Sequence, residues 1–261
     1  METQFGFCNL GIVPVRKEPS HQSEMVTQLL FGECFSILET ASYWLRIHNA
    51  FDDYEGWISA LQFQPISGET FDKMIRTHPE SAADMLQLVF INDEESYLPV
   101  VLGSSLPYIA GNSFYVENIK YTYEGNIIKP EKPLRRETIT DIAYLYLNAP
   151  YLWGGRSPLG IDCSGFVQMV YKICGKPLPR DAHQQANLGE TLNLLEEALP
   201  GDLAFFDNEE GHIIHTGIIL AGGKIIHSSG SVRIDAIDHN GIFSYRSRKY
   251  THRLRLLKRI I

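Results

Sequence analysis

Cys163, His215 and His227 are the residues of this 261-residue chain whose types and settings fit nucleophilic chemistry. Cys163 follows a turn-rich run from Ala149 to Ile161 that holds Pro150, Gly154, Gly155, Pro158 and Gly160. The apolar-periodic stretch Asp162-Cys163-Ser164-Gly165-Phe166-Val167 comes next and reads as the start of a helix. Asp162 fits its N-cap and Cys163 its first turn, where unpaired backbone N–H groups and the helix dipole favour an anion. The expectation is a thiol of lowered pKa, richer in thiolate. Taken alone, a cysteine at such a junction reads as a buried small residue. Cys174 lies on the same predicted helix, roughly 16 Å along it at 1.5 Å per residue, beyond disulfide reach.

A neighbouring base changes that reading. Gly211 to Leu220 and Lys224 to Ser229 read as two strands of one hairpin around Ala221-Gly222-Gly223. A two-residue turn at Gly222-Gly223 would pair His227 with Ile218 and send His215 to the opposite face. A three-residue loop with Gly223 in the left-handed position would pair His227 with Gly217 and set His215 diagonally beside His227. In that register His215 can take the proton of the attacking Cys163 thiol while His227 holds the His215 ring. Without Cys163, the two histidines read as packing on a half-buried sheet.

The elements that must carry these residues fall into blocks. Residues 1–66 read as short strands, among them Cys34 to Leu38 and Tyr43 to Ile47, broken by Gly32, Ser42 and Asp52-Asp53. Their spacing suggests a small barrel of the SH3-like kind. Glu69 to His78 reads as a short helix ending before Pro79. A second β-rich segment spans 80–130, with strands at Leu98 to Leu102 and Tyr115 to Ile119. Lys129-Pro130-Glu131-Lys132-Pro133 reads as an extended linker. Arg136 to Leu147 has helical spacing of Ile139, Ile142, Ala143 and Tyr146 and opens a third domain. The expected boundaries are 1–66, a helical linker at 67–79, a second and diverged SH3-like domain at 80–130, and a catalytic domain at 131–261.

Composition narrows the function classes. Hydrophobic residues make up 44% and aromatics 11%, which excludes disorder as the main state. No apolar run reaches about 18 residues, so no helical membrane span is expected. Met1-Glu2-Thr3-Gln4-Phe5-Gly6 has neither a basic nor an apolar leader region, so the expectation is a cytoplasmic protein. The net charge of −8 is uneven: residues 1–130 hold 7 Lys/Arg against 17 Asp/Glu, and residues 131–261 hold 16 against 14. The acidic first half repels phosphates, so no nucleic-acid partner is expected. The basic cluster Arg246, Arg248, Lys249, Arg253, Arg255, Lys258, Arg259 reads as a solvated strand face or interdomain contact. Cys8, Cys34, Cys163 and Cys174 form no C-x-x-C pair and are expected as reduced thiols.

The motifs also carry a resemblance. Tyr151-x-Trp153-Gly154-Gly155, Asp162-Cys163-Ser164-Gly165-Phe166, Pro200-Gly201-Asp202-Leu203, His215-Thr216-Gly217-Ile218 and Ile226-His227-Ser228-Ser229-Gly230 resemble, in order, those of the papain-like NlpC-type cell-wall cysteine peptidases. Val13-Pro14-Val15-Arg16, Gln28 to Glu33 and Tyr54-Glu55-Gly56-Trp57-Ile58 resemble bacterial SH3 domains. The combination is similar to the γ-D-glutamyl-L-diamino acid endopeptidases, also called dipeptidyl-peptidase VI. The fold implied is two SH3-like β-barrels followed by a papain-like α+β domain. The resemblance implies Cys163 as nucleophile, His215 as general base and His227 as the orienting third member, with no cofactor. It implies that the Tyr151 hydroxyl and a backbone N–H near Cys163 stabilise the tetrahedral oxyanion, and that Trp153 forms an apolar wall.

The substrate implied is a murein peptide cut after L-Ala-γ-D-Glu, with L-Lys or meso-diaminopimelate third and a free amino terminus. Asp162, Glu18 and Tyr54 match positions that surround the ammonium group in such enzymes. Ser164, Arg180 and Asp181 are candidates for the D-Glu α-carboxylate. The family often has Ser or Thr after Arg-Asp, whereas this chain has Ala182, which puts a hydroxyl contact there in doubt. Three rival readings stand beside this one: a zinc-dependent amidase using Cys163, His215 and His227, a non-catalytic binder of wall peptides, and acyl transfer on the same machinery. The zinc reading lacks H-E-x-x-H and paired-cysteine spacing, and a binder has no need of a nucleophile.

Overall fold

The computed structural model describes residues 4–77 and 79–261. Met1-Glu2-Thr3, used in the reading of the leader, and His78, the predicted helix end, lie outside the described residues. The chain divides into two compact units: one runs to Pro130 and includes Trp153–Pro158, and the other comprises Glu131–Leu152 and Leu159–Ile261.

In the first unit, strands with alternating buried residues, such as Ile12–Arg16 with Val13 and Val15 inside, build a seven-stranded antiparallel sheet. Its order is Met25–Leu30, Ile12–Arg16, Glu55–Ser59, Trp44–Asn49, Cys34–Ala41, Gln4–Phe7, Gln64–Ile66. Val13, Val15, Leu29, Phe35, Leu45, Ile47 and Ile58 fill one core. A second core joins Phe7, Phe31 and Met74 to Val89, Val100, Phe114, Tyr121 and Tyr123. Those last residues belong to a four-stranded sheet ordered Ser96–Val101, Leu86–Ile91, Ile119–Tyr123, Ser113–Val116. The expected single strand Tyr115 to Ile119 is instead a hairpin turn. Val116 pairs with Ile119, and Glu117 takes a positive φ of 51° between them. The helix expected at 69–78 runs Gly68–Ile75, capped by the Ser67 hydroxyl on the Thr70 N–H.

Trp153–Pro158 carries the most buried charge of this unit. Arg156 is fully buried and grips both Glu33 carboxylate oxygens at 2.8 Å and the Gln28 carbonyl at 2.7 Å. Local pattern gives no hint of such a pair, because its members stand 123 residues apart.

In the second unit, an antiparallel sheet runs Glu190–Leu192, Lys249–Arg259, Leu203–Asp207, Ile213–Leu220, Lys224–Ser229, Ser231–Asp238, Gly241–Ser244. Lys249–Arg259 also pairs with Gly241–Ser244, so the sheet curls back on itself. Helix Cys163–Ile173 is buried along nearly its whole length, which explains its continuous apolar sequence. Helix Arg136–Leu145 turns Ile139, Ile142 and Ala143 inward. Arg136 and Arg259 both hold the wholly buried Asp202. Several residues of the basic cluster are strand partners: Arg253 and Arg255 pair with Asp207, Arg259 with Asp202, and Lys258 with Thr191. Arg246, Arg248 and Lys249 are exposed. Among the described residues no helix is long and apolar enough to cross a membrane.

Candidate active site

Cys163 opens helix Cys163–Ile173, and the Asp162 side chain caps it by accepting the Gly165 N–H at 2.7 Å. Arg180, buried behind the cap, donates to Asp162 Oδ1 at 3.0 Å and Oδ2 at 2.6 Å and to Ser164 Oγ at 2.8 Å. A planar guanidinium gripping a carboxylate by both oxygens is a directional, charge-assisted arrangement. Gln185 adds donations to the Ser164 and Pro179 carbonyls. Asp162, Ser164 and Arg180 are therefore interlocked beneath the Cys163 end of the helix. Asp181 stands at the N-cap of the short helix Ala182–Gln185 and its N–H donates to the Gln184 side chain. Ala182 is buried.

The expected low thiol pKa is not what this environment gives. Burial pushes the Cys163 thiol up to about 12, and the neighbouring Asp162 carboxylate adds to the rise. The backbone N–H groups of Thr216 and Ser164 and the Arg180 charge oppose it without prevailing. The helix terminus does favour an anion, but desolvation of a thiol only 8% exposed wins.

The hairpin takes the three-residue loop. Leu220 pairs with Lys224, Ile219 with Ile225 and Ile218 with Ile226, leaving Ala221, Gly222 and Gly223 in the loop, with Gly223 at φ 66°. Continuing that register sets Gly217 against His227, and a Cβ on Gly217 would stand 2.8 Å from the His227 Cβ. His215 and His227 consequently share a face, with His215 Nε2 2.9 Å from His227 Nδ1. Both rings are buried: His215 is 5% exposed and His227 fully buried. Burial holds the pKa of both rings below the ordinary histidine value; for His215, the nearby His252, His227 and Arg233 lower it further.

Three residues that sequence reasoning missed complete the cluster. Asp235 Oδ2 lies 3.2 Å from His227 Nε2 and accepts Arg233 Nε at 2.8 Å. Burial alone would raise the Asp235 carboxyl, but hydrogen bonds from His227 and Arg233 outweigh it and leave its pKa lowered. The His252 ring stacks on His215 at 4.0 Å between centroids and 22° between planes. Burial brings the His252 pKa down to about 4. The tight turn Ser229-Gly230-Ser231 was a usable signal for Asp235, because it pairs His227 with Arg233 and sets Asp235 two residues further along. His252 had no local signal, since it arrives on a strand from the far end of the unit.

A cavity of about 300 Å³ gathers Tyr151, Cys163, His215, Ser229, Gly230 and His252. Tyr151 is held there by its N–H on the Gly230 carbonyl at 3.0 Å, and burial raises its phenol to about 12. The cavity thus joins a thiol, a neutral imidazole backed by a second imidazole, and a protonated phenol, which are the parts acyl transfer needs. Three other expected site residues lie in the first unit. Trp153 is exposed and its indole N–H donates to Glu24 at 2.8 Å; Glu18 is exposed and Tyr54 half-buried. Among the described residues no group of three or more His, Cys, Asp or Glu side chains is arranged to hold a metal ion.

Residues 148–253 match the NlpC/P60 family, and residues 15–62 match the bacterial dipeptidyl-peptidase SH3 domain. The chain is 29% identical over 218 residues to a gamma-D-glutamyl-L-lysine dipeptidyl-peptidase of Bacillus subtilis, covering 77% of this chain and 71% of that protein. It is 25% identical over 252 residues to dipeptidyl-peptidase 6 of Lysinibacillus sphaericus, covering 85% and 87%. The crystal structure of an NlpC/P60 family protein from Bacillus cereus shares the fold at a TM-score of 0.80 and 19% identity, covering 98% of this chain and 99% of that one.

Proposed function

We propose, starting from a chain that is an NlpC/P60 family peptidase joined to a bacterial dipeptidyl-peptidase SH3 domain, that it hydrolyses the bond between γ-D-Glu and an L-diamino acid in murein peptides with a free N-terminal L-Ala. The observation that carries this reading is the single cavity shared by Cys163, His215 and Tyr151, with His227 2.9 Å behind His215.

The geometry supports the following chemistry. His215 uses Nε2 toward His227, so Nδ1 is the ring nitrogen left to take the Cys163 proton. The thiol sulfur attacks the scissile carbonyl, and the Tyr151 hydroxyl donates to the developing oxyanion. Such a donor contributes about 10²–10³ in rate. His215 then gives its proton to the leaving amine, and water releases the acyl group by the same route in reverse. A thiol near pKa 12 in the free enzyme fits proton transfer concerted with attack, rather than a standing thiolate. Asp162 and Ser164, locked by Arg180, and Asp181, Trp153, Glu18 and Tyr54 form the substrate-recognition part of the proposal.

The finer architecture is part of the same proposal: a papain-like α+β domain at 131–261, an SH3-like barrel at 1–66, a helical linker at 67–79 and a second, diverged SH3-like domain at 80–130. A role in recycling of wall peptides inside the cytoplasm also belongs to it. Mass spectrometry of products from L-Ala-γ-D-Glu-L-Lys and its meso-diaminopimelate counterpart, each with and without an N-acetyl group, tests the reading. The expected products are L-Ala-D-Glu and free diamino acid, from unblocked peptides only. Cleavage at another bond, or equal cleavage of acetylated peptides, would overturn the assigned specificity.

A further inference from the structure

We propose that Asp235, fixed by Arg233, is a positioning residue that sets the tautomers of His227 and His215, and so decides which His215 nitrogen can act as base. The proposal rests on the cysteine mechanism above and extends it by one residue.

Asp235, His227 and His215 form a chain of donors and acceptors. Asp235 is paired with Arg233, whose Nε donates to Asp235 Oδ2 at 2.8 Å, so the carboxyl is ionised and can only accept. His227 Nε2, 3.2 Å from that same oxygen, must then carry a proton. His227 is fully buried and neutral, so its Nδ1 is a lone pair. His215 Nε2, 2.9 Å away, must therefore bring the proton of that contact. The buried, neutral His215 is left with an unprotonated Nδ1, the form a general base needs. The opposite assignment would aim the His227 Nε2 lone pair at a carboxylate.

The neighbouring groups support this direction. His252, from strand Lys249–Arg259, stacks face-on against His215 and makes its own hydrogen-bonding contact with the Thr251 hydroxyl at 2.9 Å. Arg233 offers only donors, and it also binds the Ser229 carbonyl. Asp235 is thus the carboxylate that ends the chain, placed on the His227 side by the pairing of His227 with Arg233. An asparagine at 235 could turn its NH₂ toward His227 Nε2 and permit the reverse tautomers. In serine proteases a matching Asp→Asn change lowers kcat about 10⁴-fold through the wrong tautomer.

The test is ¹⁵N NMR of the histidine-labelled full chain at pH 7.5, with kinetics of two variants. The expected spectrum puts the His227 proton on Nε2 in the native protein and shifts it to Nδ1, or to a mixture, in Asp235→Asn. That variant should lose about 10²-fold or more in kcat with KM within about threefold, and Asp235→Glu should recover at least about tenfold. A native His227 protonated on Nδ1 would overturn the proposal, as would an Asp235→Asn variant with kcat within about threefold of native. The native spectrum decides the tautomer without turnover and without a foldable variant. Failure of the cysteine mechanism would show separately, as undiminished turnover in Cys163→Ala.

Discussion

Gly217→Ala perturbs the His215–His227 contact without touching either ring. A Cβ at this position stands 2.8 Å from the His227 Cβ and 2.8 Å from Ile225 Cδ1, whereas ordinary contact begins near 3.4 Å. Relief requires about 0.6 Å of movement, and Ile225 can supply part of it by turning its terminal methyl. The His227 Cβ is tied to its strand, so its relief must come from strand separation. Adding about 0.6 Å to the 2.9 Å between His215 Nε2 and His227 Nδ1 takes it to the edge of hydrogen bonding. Overpacking of this size costs about 1–3 kcal/mol of stability, and a misplacement approaching 1 Å in a catalytic group costs about 10²-fold in rate. The assay is steady-state hydrolysis of the tripeptide beside urea unfolding. The expected result is a fall of about 10²-fold in kcat, with unfolding free energy reduced by about 1–3 kcal/mol. Full kcat in a folded Gly217→Ala chain would refute the claim that catalysis depends on this close register.

Three further outcomes are expected. Cys163→Ala should abolish hydrolysis in a folded protein, while conservative changes at Cys8, Cys34 and Cys174 leave kcat nearly native; intact-mass kinetics checks both. Asp202→Asn should destabilise the second unit by about 3–5 kcal/mol in urea, because Arg136 and Arg259 converge on this buried carboxylate; a change below about 1 kcal/mol would show that the arginines find other partners. Stability should fall as pH drops from about 6.5 toward 4, because His252, His215 and His227 have folded pKa values below the ordinary one, so the unfolded chain binds more protons in that window. A flat urea midpoint over that range would show that these rings are hydrated in solution.

Much of the site was legible because it follows from local rules. Gly222 and Gly223 take the left-handed conformation that glycine adopts without steric cost, and the loop's length places His215 and His227 on one face. Asp162 before an apolar-periodic run marks the helix start and hence the place of Cys163. What stayed hidden depends on contacts between distant residues. The thiol's pKa is set by burial that no local pattern reports, His252 reaches His215 from a strand formed 37 residues later, and Arg156 finds Glu33 across 123 residues. The Tyr115 to Ile119 error has a different cause. Its β-prone sequence conceals a turn that Glu117 makes in a conformation usually left to Gly or Asn.

The most direct measurement is to acid-quench the enzyme during turnover of L-Ala-γ-D-Glu-L-Lys and map the acylated residue by mass spectrometry. The expected result is an L-Ala-γ-D-Glu thioester on Cys163, absent from Cys163→Ala. An acyl group on another residue, or undiminished hydrolysis by Cys163→Ala, would contradict it.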